Sequence, residues 1–169
     1  NFIDTNGNLL SKQWFDDISN FHEDGFAKVM LNDKWNFIDT NGNLLSKQWF
    51  DDISNFHEDG FAKVMLNDKW NFIDTNGNLL SKQWFDDIDN FDKNGFAKVM
   101  LNGKWNFIDT NGKLLSKQWF DYVCKFNKNG LVKVKLNKKW NFIDVNGKLL
   151  SEQWFDSLLD ATICFMNLK

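Results

Sequence analysis

Asp39, Asn41 and Asn43 stand at alternate positions around Gly42, and oxygen-bearing side chains at that spacing are what a calcium loop uses. An EF-type loop also needs Gly at its sixth position and a carboxylate at its twelfth. Counted from Asp39, Gly falls two places early and Phe50 occupies the carboxylate's place. Where Asn43 stands, later copies of the stretch carry Lys113 and Lys148, cations where a cation would bind. The stretch therefore reads as a hairpin turn built on Asn-Gly, and neither a metal nor a cofactor is expected.

Paired carboxylates are the second candidate chemistry. Asp16-Asp17, Asp51-Asp52 and Asp86-Asp87 could suggest the acid/base pair of a glycosidase. Neighbours along a strand point to opposite faces, so they do not share one substrate. The second acid is also replaced, by Tyr122 and Ser157, whereas the first recurs as Asp16, Asp51, Asp86, Asp121 and Asp156. The kept acid reads as a turn or cap hydrogen-bonding group. His22 and His57 share one repeat position that holds Asp92 and Asn127 in later copies, which reads as a surface loop and not a zinc or catalytic site. Cys124 and Cys164 are confined to the last two copies, so they read as lone buried thiols. No enzyme is expected, because five equivalent sites do not make one cleft.

The elements that must position these residues come in copies. Residues 1–35 and 36–70 are identical, 71–105 differ from them at five positions, 106–140 have drifted further, and 141–169 form a shorter fifth copy. Repetition at this period decides the architecture before local propensity does. Helical-hairpin arrays have a similar period, but Asn-Gly pairs and alternating aromatics leave no room for two helices per unit. As strands the unit makes sense. FAKVML (61–66) is joined by Asn67-Asp68 to KWNFID (69–74), and Asn76-Gly77 leads on to NLLS (78–81), giving an antiparallel meander. Turn pairing sets Leu66 against Lys69, Val64 against Asn71 and Ala62 against Ile73, with Leu80 also opposite Ile73. That face is the expected core. Met65, Trp70, Phe72, Leu79 and Lys63 share the other, which is aromatic and must meet the next unit. Residues 46–56 read as extended, with a short helical turn as the alternative.

The order Lys34-Trp35, Phe37-Ile38-Asp39, Gly42, then Trp49, Asp51, Phe56, Gly60 and Ala62, with their period mates, resembles the WG (KWG) repeat family of tandem β-repeats in bacterial proteins. The resemblance covers nearly the whole chain. It implies an all-β fold of stacked meanders, an open solenoid or superhelix, with a closed toroid or five-bladed propeller as the alternative. Two departures stand out: Asn36, Asn71, Asn106 and Asn141 replace the Gly that follows the Trp, and the family's prolines before the aromatic-Asp pair are absent. Asn tolerates positive φ, so a bulge at these positions is expected to survive.

Composition fits a folded array. Of 169 residues, 43% are hydrophobic and 25% charged, Pro is absent, and all 20 basic residues are Lys. Aromatics reach 17%, with 18 Phe and 9 Trp. Burying nine indoles of about 150–250 Å² at about 25 cal/mol per Å² represents on the order of 35–55 kcal/mol of gross transfer energy. Net stabilities are about 5–15 kcal/mol, so most indoles are expected between units. Net charge per block of 35 runs −3, −3, −1 and +6, then −2 over the final copy. The basic fourth block reads as a solvated Lys-rich face more than a nucleic-acid patch. No apolar run is long enough to span a membrane. The start without Met, in mid-unit, reads as a fragment whose targeting segments would be out of view. The apolar, divergent SLLDATICFMNLK reads as a C-terminal cap.

Three functions fit these observations. The first is a non-enzymatic scaffold presenting a repeated surface to a protein or polymer partner. The second is a glycan- or cell-wall-binding module, whose set would be Trp35, Trp70 and Trp105 beside Lys63 and Lys98. The third is a subunit that self-associates end to end through its acidic and basic blocks.

Overall fold

The computed structural model describes residues 1–166, with side chains described through Thr162. Among the described residues the fold is all-β apart from one helix, and it falls into two compact units, Asn1–Trp84 and from Phe85 onward. The first unit holds two three-stranded antiparallel sheets. One is β1 (Asp17–Ile18), β2 (Phe26–Leu31) and β3 (Lys34–Asp39); the other is β4 (Asp52–Ile53), β5 (Phe61–Leu66) and β6 (Lys69–Asp74). The second unit repeats the plan with β7 (Asp87–Ile88), β8 (Phe96–Leu101) and β9 (Lys104–Asp109), then β10 (Tyr122–Val123), β11 (Val132–Leu136) and β12 (Lys139–Ile143). Helix α1 (Leu158–Met166) follows.

The long hairpins form because their two-residue links accept positive φ at both positions. Asn67 and Asp68 sit at +52° and +58°, and Asn102 and Gly103 at +51° and +72°, as a type I′ turn requires. The register is the expected one: Leu66 opposite Lys69, Val64 opposite Asn71, Ala62 opposite Ile73. Ala62, Val64 and Ile73 are buried, and so are their counterparts in the other sheets.

The second link differs from the sequence reading by one residue. Its Asn keeps negative φ and only Gly77 is left-handed, at +82°. Gly77 N–H donates to the Asp74 carbonyl and Asp74 N–H to the Asn78 carbonyl, a type I turn closed by a left-handed Gly bulge. The extra residue sets Leu79, not Leu80, against Ile73, so Leu79 leaves the aromatic face to which alternation assigned it. NLLS adds this single bridge and no full strand. The third strand of each sheet is instead the Asp-Ile or Tyr-Val pair ahead of the long hairpin. Residues 46–56 are extended and irregular, without the helical turn.

That irregular segment ties one repeat to the next. Phe50 exchanges both backbone hydrogen bonds with Trp35 of the preceding sheet, and two residues later Asp52 pairs with Met65 of its own. The rings filling the joints are phenylalanines. Phe56 lies 5.1 Å from Phe26 and 4.8 Å from Phe37, and Phe126 repeats this against Phe96 and Phe107 at 5.1 and 5.0 Å. Phe37, Phe50, Phe72, Phe85, Phe107 and Phe120 are almost fully buried, whereas none of the nine Trp is. The expectation that indoles form most of the inter-unit core holds in part: Trp35, Trp49, Trp84, Trp105, Trp140 and Trp154 pack against the core clusters, but half-buried, and the fully buried rings are Phe. An indole must find a partner for its N–H when buried, and Phe has no such demand. Trp49, Trp84 and Trp154 do lie between repeats, half-buried on the Ala/Val-Val-Ile patch of the preceding sheet.

In the fifth copy Ser157 stands where Asp52 begins β4, and the segment turns helical. Ser157 Oγ accepts the Asp160 N–H at 3.1 Å and donates to Asp160 Oδ2 at 2.6 Å, a reciprocal N-cap. The helix sets Ala161 against Phe142 and Phe155. The Cys164 side chain lies outside the described residues, and Cys124 is half-buried with a free thiol.

Candidate functional site

The recurring surface is a row of side chains crossing each sheet. Strand register aligns Asp17, Met30 and Trp35 in the first sheet, Asp52, Met65 and Trp70 in the second, and Asp87, Met100 and Trp105 in the third. One step along the hairpin, Lys28, Lys63 and Lys98 oppose Phe37, Phe72 and Phe107 on the same face. Trp35, Trp70 and Lys63 in the first unit, and Trp105 and Lys98 in the second, therefore occupy equivalent positions on this face of their own sheets. Trp35, Trp70 and Trp105 are half-buried, each opposite its partner Met in the ladder.

The lysines are not equivalent. Lys98 Nζ stands 5.0 Å from the Trp105 ring centre and 2.9 Å from Asp89 Oδ2, so its charge is shared between a ring and a carboxylate. Lys28 lies 6.0 Å from Trp35 and has Ser19 where Asp89 stands. Ser19 and Ser54 use their hydroxyl oxygens to accept the Lys28 and Lys63 backbone N–H, each at 2.8 Å.

The kept acid fulfils its expected capping role. Asp16, Asp51, Asp86 and Asp121 accept the turn N–H of Asn32, Asn67, Asn102 and Asn137 through Oδ2 at 2.5–2.7 Å. Asp51 and Asp121 also pair with Lys34 and Lys104 of the preceding hairpin, and Asp156 with Lys139. The pairing lysine first, and the turn N–H with it, holds the carboxyls of Asp51 and Asp121 below the usual carboxylate range. The calcium-like stretch is a turn whose carboxylate is used internally. Asp39 Oδ1 accepts N–H bonds from Asn41 and Asn43 at 2.9 and 2.8 Å, and Oδ2 accepts from the Asn43 side chain. Partial burial pushes the Asp39 carboxyl up, and these donors more than offset it. His57 lies in an exposed turn, its Nδ1 3.0 Å from Asp59.

The Asn after each Trp forms no bulge, contrary to the expectation from its tolerance of positive φ. Asn36, Asn71, Asn106 and Asn141 do not have positive φ; they are strand residues with no exposed surface. Asn106 Nδ2 donates to the carbonyls of Ser116 and Gln118 at 2.8 and 3.3 Å, and Oδ1 accepts the Phe107 N–H at 2.8 Å. The side chain laces the irregular segment onto the sheet, something no glycine could do. Its recurrence in every copy beside Ser-x-Gln was the available signal.

The fourth sheet departs from the common row. Tyr122, Lys135 and Trp140 are aligned there in place of Asp, Met and Trp. The two rings meet edge to face, with centroids 6.2 Å apart and planes at 77°. Lys135 Nζ stands 5.1 Å from the Trp140 ring centre. With Asp121 and Lys138 these residues line an open cavity of about 530 Å³. The basic block is plain in the sequence, whereas this corner exists only once the register is known.

The sequence pattern of the WG containing repeat matches residues 2–35, 37–70, 72–105 and 107–140. The chain belongs to the WG repeat family. No curated protein matches it. Among solved structures, this WG repeat chain is similar to Kluyveromyces lactis Hsv2 with loop 6CD replaced by a Gly-Ser linker, at 12% identity and TM-score 0.41, covering 79% of this chain and 51% of that one. A eukaryotic initiation factor shares 11% identity at TM-score 0.44, over 85% of this chain and 44% of that one. A Bacteroides caccae protein of unknown function shares 16% at TM-score 0.30, over 82% and 66%. The chain spans about half the length of the Hsv2 structure.

Proposed function

We propose that this WG repeat array is a non-catalytic binding scaffold, engaging a protein or polymer at equivalent points, one on the Lys-Trp-Met face of each of its first three repeats. The observation that carries the proposal is the return of one half-buried indole, flanked by one Met and one Lys on the same sheet face, at Trp35, Trp70 and Trp105. A ring with an apolar body and a polar edge, beside an ammonium, suits contact surfaces that are met and left repeatedly. Each contact alone is weak, and repetition raises affinity through effective concentration.

Charge reversal of Lys28, Lys63 and Lys98, one, two and three at a time, tests this without removing core atoms. Binding to insoluble polysaccharides, to cell-wall fragments and to a panel of acidic proteins is read by co-sedimentation and biosensor. The expected result is a stepwise loss, severalfold per substitution, for one ligand class. Full retention of every interaction in the triple variant, or complete loss from one substitution, would dismiss multivalency along this face.

A further inference from the structure

We propose that the Tyr122–Lys135–Trp140 corner of the fourth repeat is a single binding site for an acidic sugar, a pyranose bearing a carboxylate. This reaches past the multivalent face, because the first three repeats lack the residues that make the corner. Where the fourth repeat has Tyr122, Lys135 and Lys138, the first two have Asp17, Met30 and Asp33, and Asp52, Met65 and Asp68. Three changes thus turn an acidic, flat row into an aromatic angle with two ammonium groups.

Two rings at 77° offer one face and one edge to a ligand, the shape that receives the C–H surface of a pyranose. Lys135, fixed 5.1 Å from the Trp140 ring centre, and Lys138, in a left-handed turn position at φ +68°, supply the charge for a carboxylate. The remaining wall is Asp121, whose negative charge is already committed: Oδ1 pairs with Lys104 and Oδ2 accepts the Asn137 N–H. The cavity, about 530 Å³, is within the range that holds a small ligand.

Backbone bonding argues against an extended acidic peptide. Trp140 N–H and carbonyl are both bonded to Phe155, and the Lys135 carbonyl accepts Asp121 N–H. Tyr122 and Lys135 face each other in the ladder. With these main-chain groups engaged, recognition in the corner falls to rings and ammonium groups.

Digalacturonic acid titrated into the full chain tests the site, followed by tryptophan emission and calorimetry. Cellobiose serves as the neutral sugar and hexaglutamate as the acidic peptide. The variant Y122D/K135M/K138D restores the residues of the first repeats; Lys138→Asp alone, in an exposed turn, serves should the triple variant unfold. The expected result is saturable binding of digalacturonic acid, at least tenfold weaker for cellobiose and hexaglutamate, and at least tenfold weaker in either variant. Absence of saturable binding, unchanged affinity in the variants, or tighter binding of hexaglutamate would overturn the assignment. Both variants leave Lys28, Lys63 and Lys98 in place, so the multivalent reading stands or falls separately.

Discussion

Asp51 Oδ2 accepts the backbone N–H of Asn67 at 2.6 Å, sixteen residues on, while Oδ1 pairs with Lys34 of the preceding hairpin. One carboxylate thereby caps the turn of its own repeat and holds the turn of the one before. Asp51→Ala is expected to lower Tm by a few degrees, and Asp51→Asn by less, since an amide oxygen still caps Asn67. The sign of the pH effect follows from the lowered carboxyl, due first to Lys34 and then to Asn67. Its stabilisation is complete above the unfolded value near 4, and is lost as pH falls through the lower folded value. The Tm gap between wild type and Asp51→Ala should therefore be constant at neutral pH and shrink below about pH 4. A gap independent of pH in thermal melts would remove the Lys34 pairing from the account.

Asn106 satisfies four backbone groups from a site with no exposed surface, its Oδ1 accepting the Ser116 N–H at 3.3 Å as well as the Phe107 N–H. Asn106→Ala leaves the Phe107 and Ser116 N–H groups and the Ser116 and Gln118 carbonyls to find other partners. A loss of about 2–4 kcal/mol is expected in urea denaturation. Asn106→Asp keeps the acceptor for Phe107 but turns a carboxylate toward two carbonyls. Its loss should exceed that of Asn106→Ala at neutral pH and recover as pH falls, because burial and carbonyl contacts raise the carboxyl in the folded state. Equal stability of all three proteins would mean that the lacing bonds contribute nothing.

Much of the fold was legible because its turns are chemically explicit. Asn67-Asp68 and Asn102-Gly103 take positive φ readily, and they set the long-hairpin register without ambiguity. The second turn misled by one residue because Asp74 uses its side chain inside it, through bonds to Asn76 and Asn78 that Asn-Gly alone does not announce. The buried Asn misled for the opposite reason: its tolerance of positive φ hid its capacity to bridge three backbone groups. Counting apolar area favoured full burial of Trp at the joints, but area ignores the indole N–H: the indoles stay half-buried there beside Phe56 and Phe126, and the fully buried rings are Phe. Alternation correctly set Trp70 on the strand face of Lys63, Met65 and Phe72, away from Ala62, Val64 and Ile73. The Tyr122–Trp140 corner was not foreseeable, because residues eighteen positions apart meet only through the intervening strand.

Trp14 is 67% exposed, whereas Trp49 and Trp84, at the same repeat position, lie half-buried on the preceding sheet. Acrylamide quenching of tryptophan emission should therefore be heterogeneous. Trp14→Phe is expected to remove the most accessible component with little change in Tm, since surface substitutions away from packed features fall within about 0.5 kcal/mol. Trp84→Phe should leave that component intact and lower Tm, through loss of packing on Ala62, Val64 and Ile73. Identical quenching profiles for the two variants would contradict the packing of the Trp84 series.

Gly60 and Gly77 have the same backbone conformation, φ +83° and +82°, in different surroundings. A Cβ built on Gly60 meets nothing within 4 Å, whereas one on Gly77 would stand 2.2 Å from the Leu45 carbonyl oxygen of the preceding repeat. Gly42 and Gly147 meet Leu10 and Leu115 in the same way, so this glycine turn seats directly on the backbone of the repeat before it. Gly60→Ala carries only the left-handed penalty, about 1–2 kcal/mol. Gly77→Ala adds a clash with main chain, which cannot rotate away as a side chain would, and a total above about 3 kcal/mol is expected. Urea midpoints of the two variants compare the effects at matched φ. Equal losses would mean that conformation alone demands glycine at both positions, and that the close approach between repeats does not constrain the sequence.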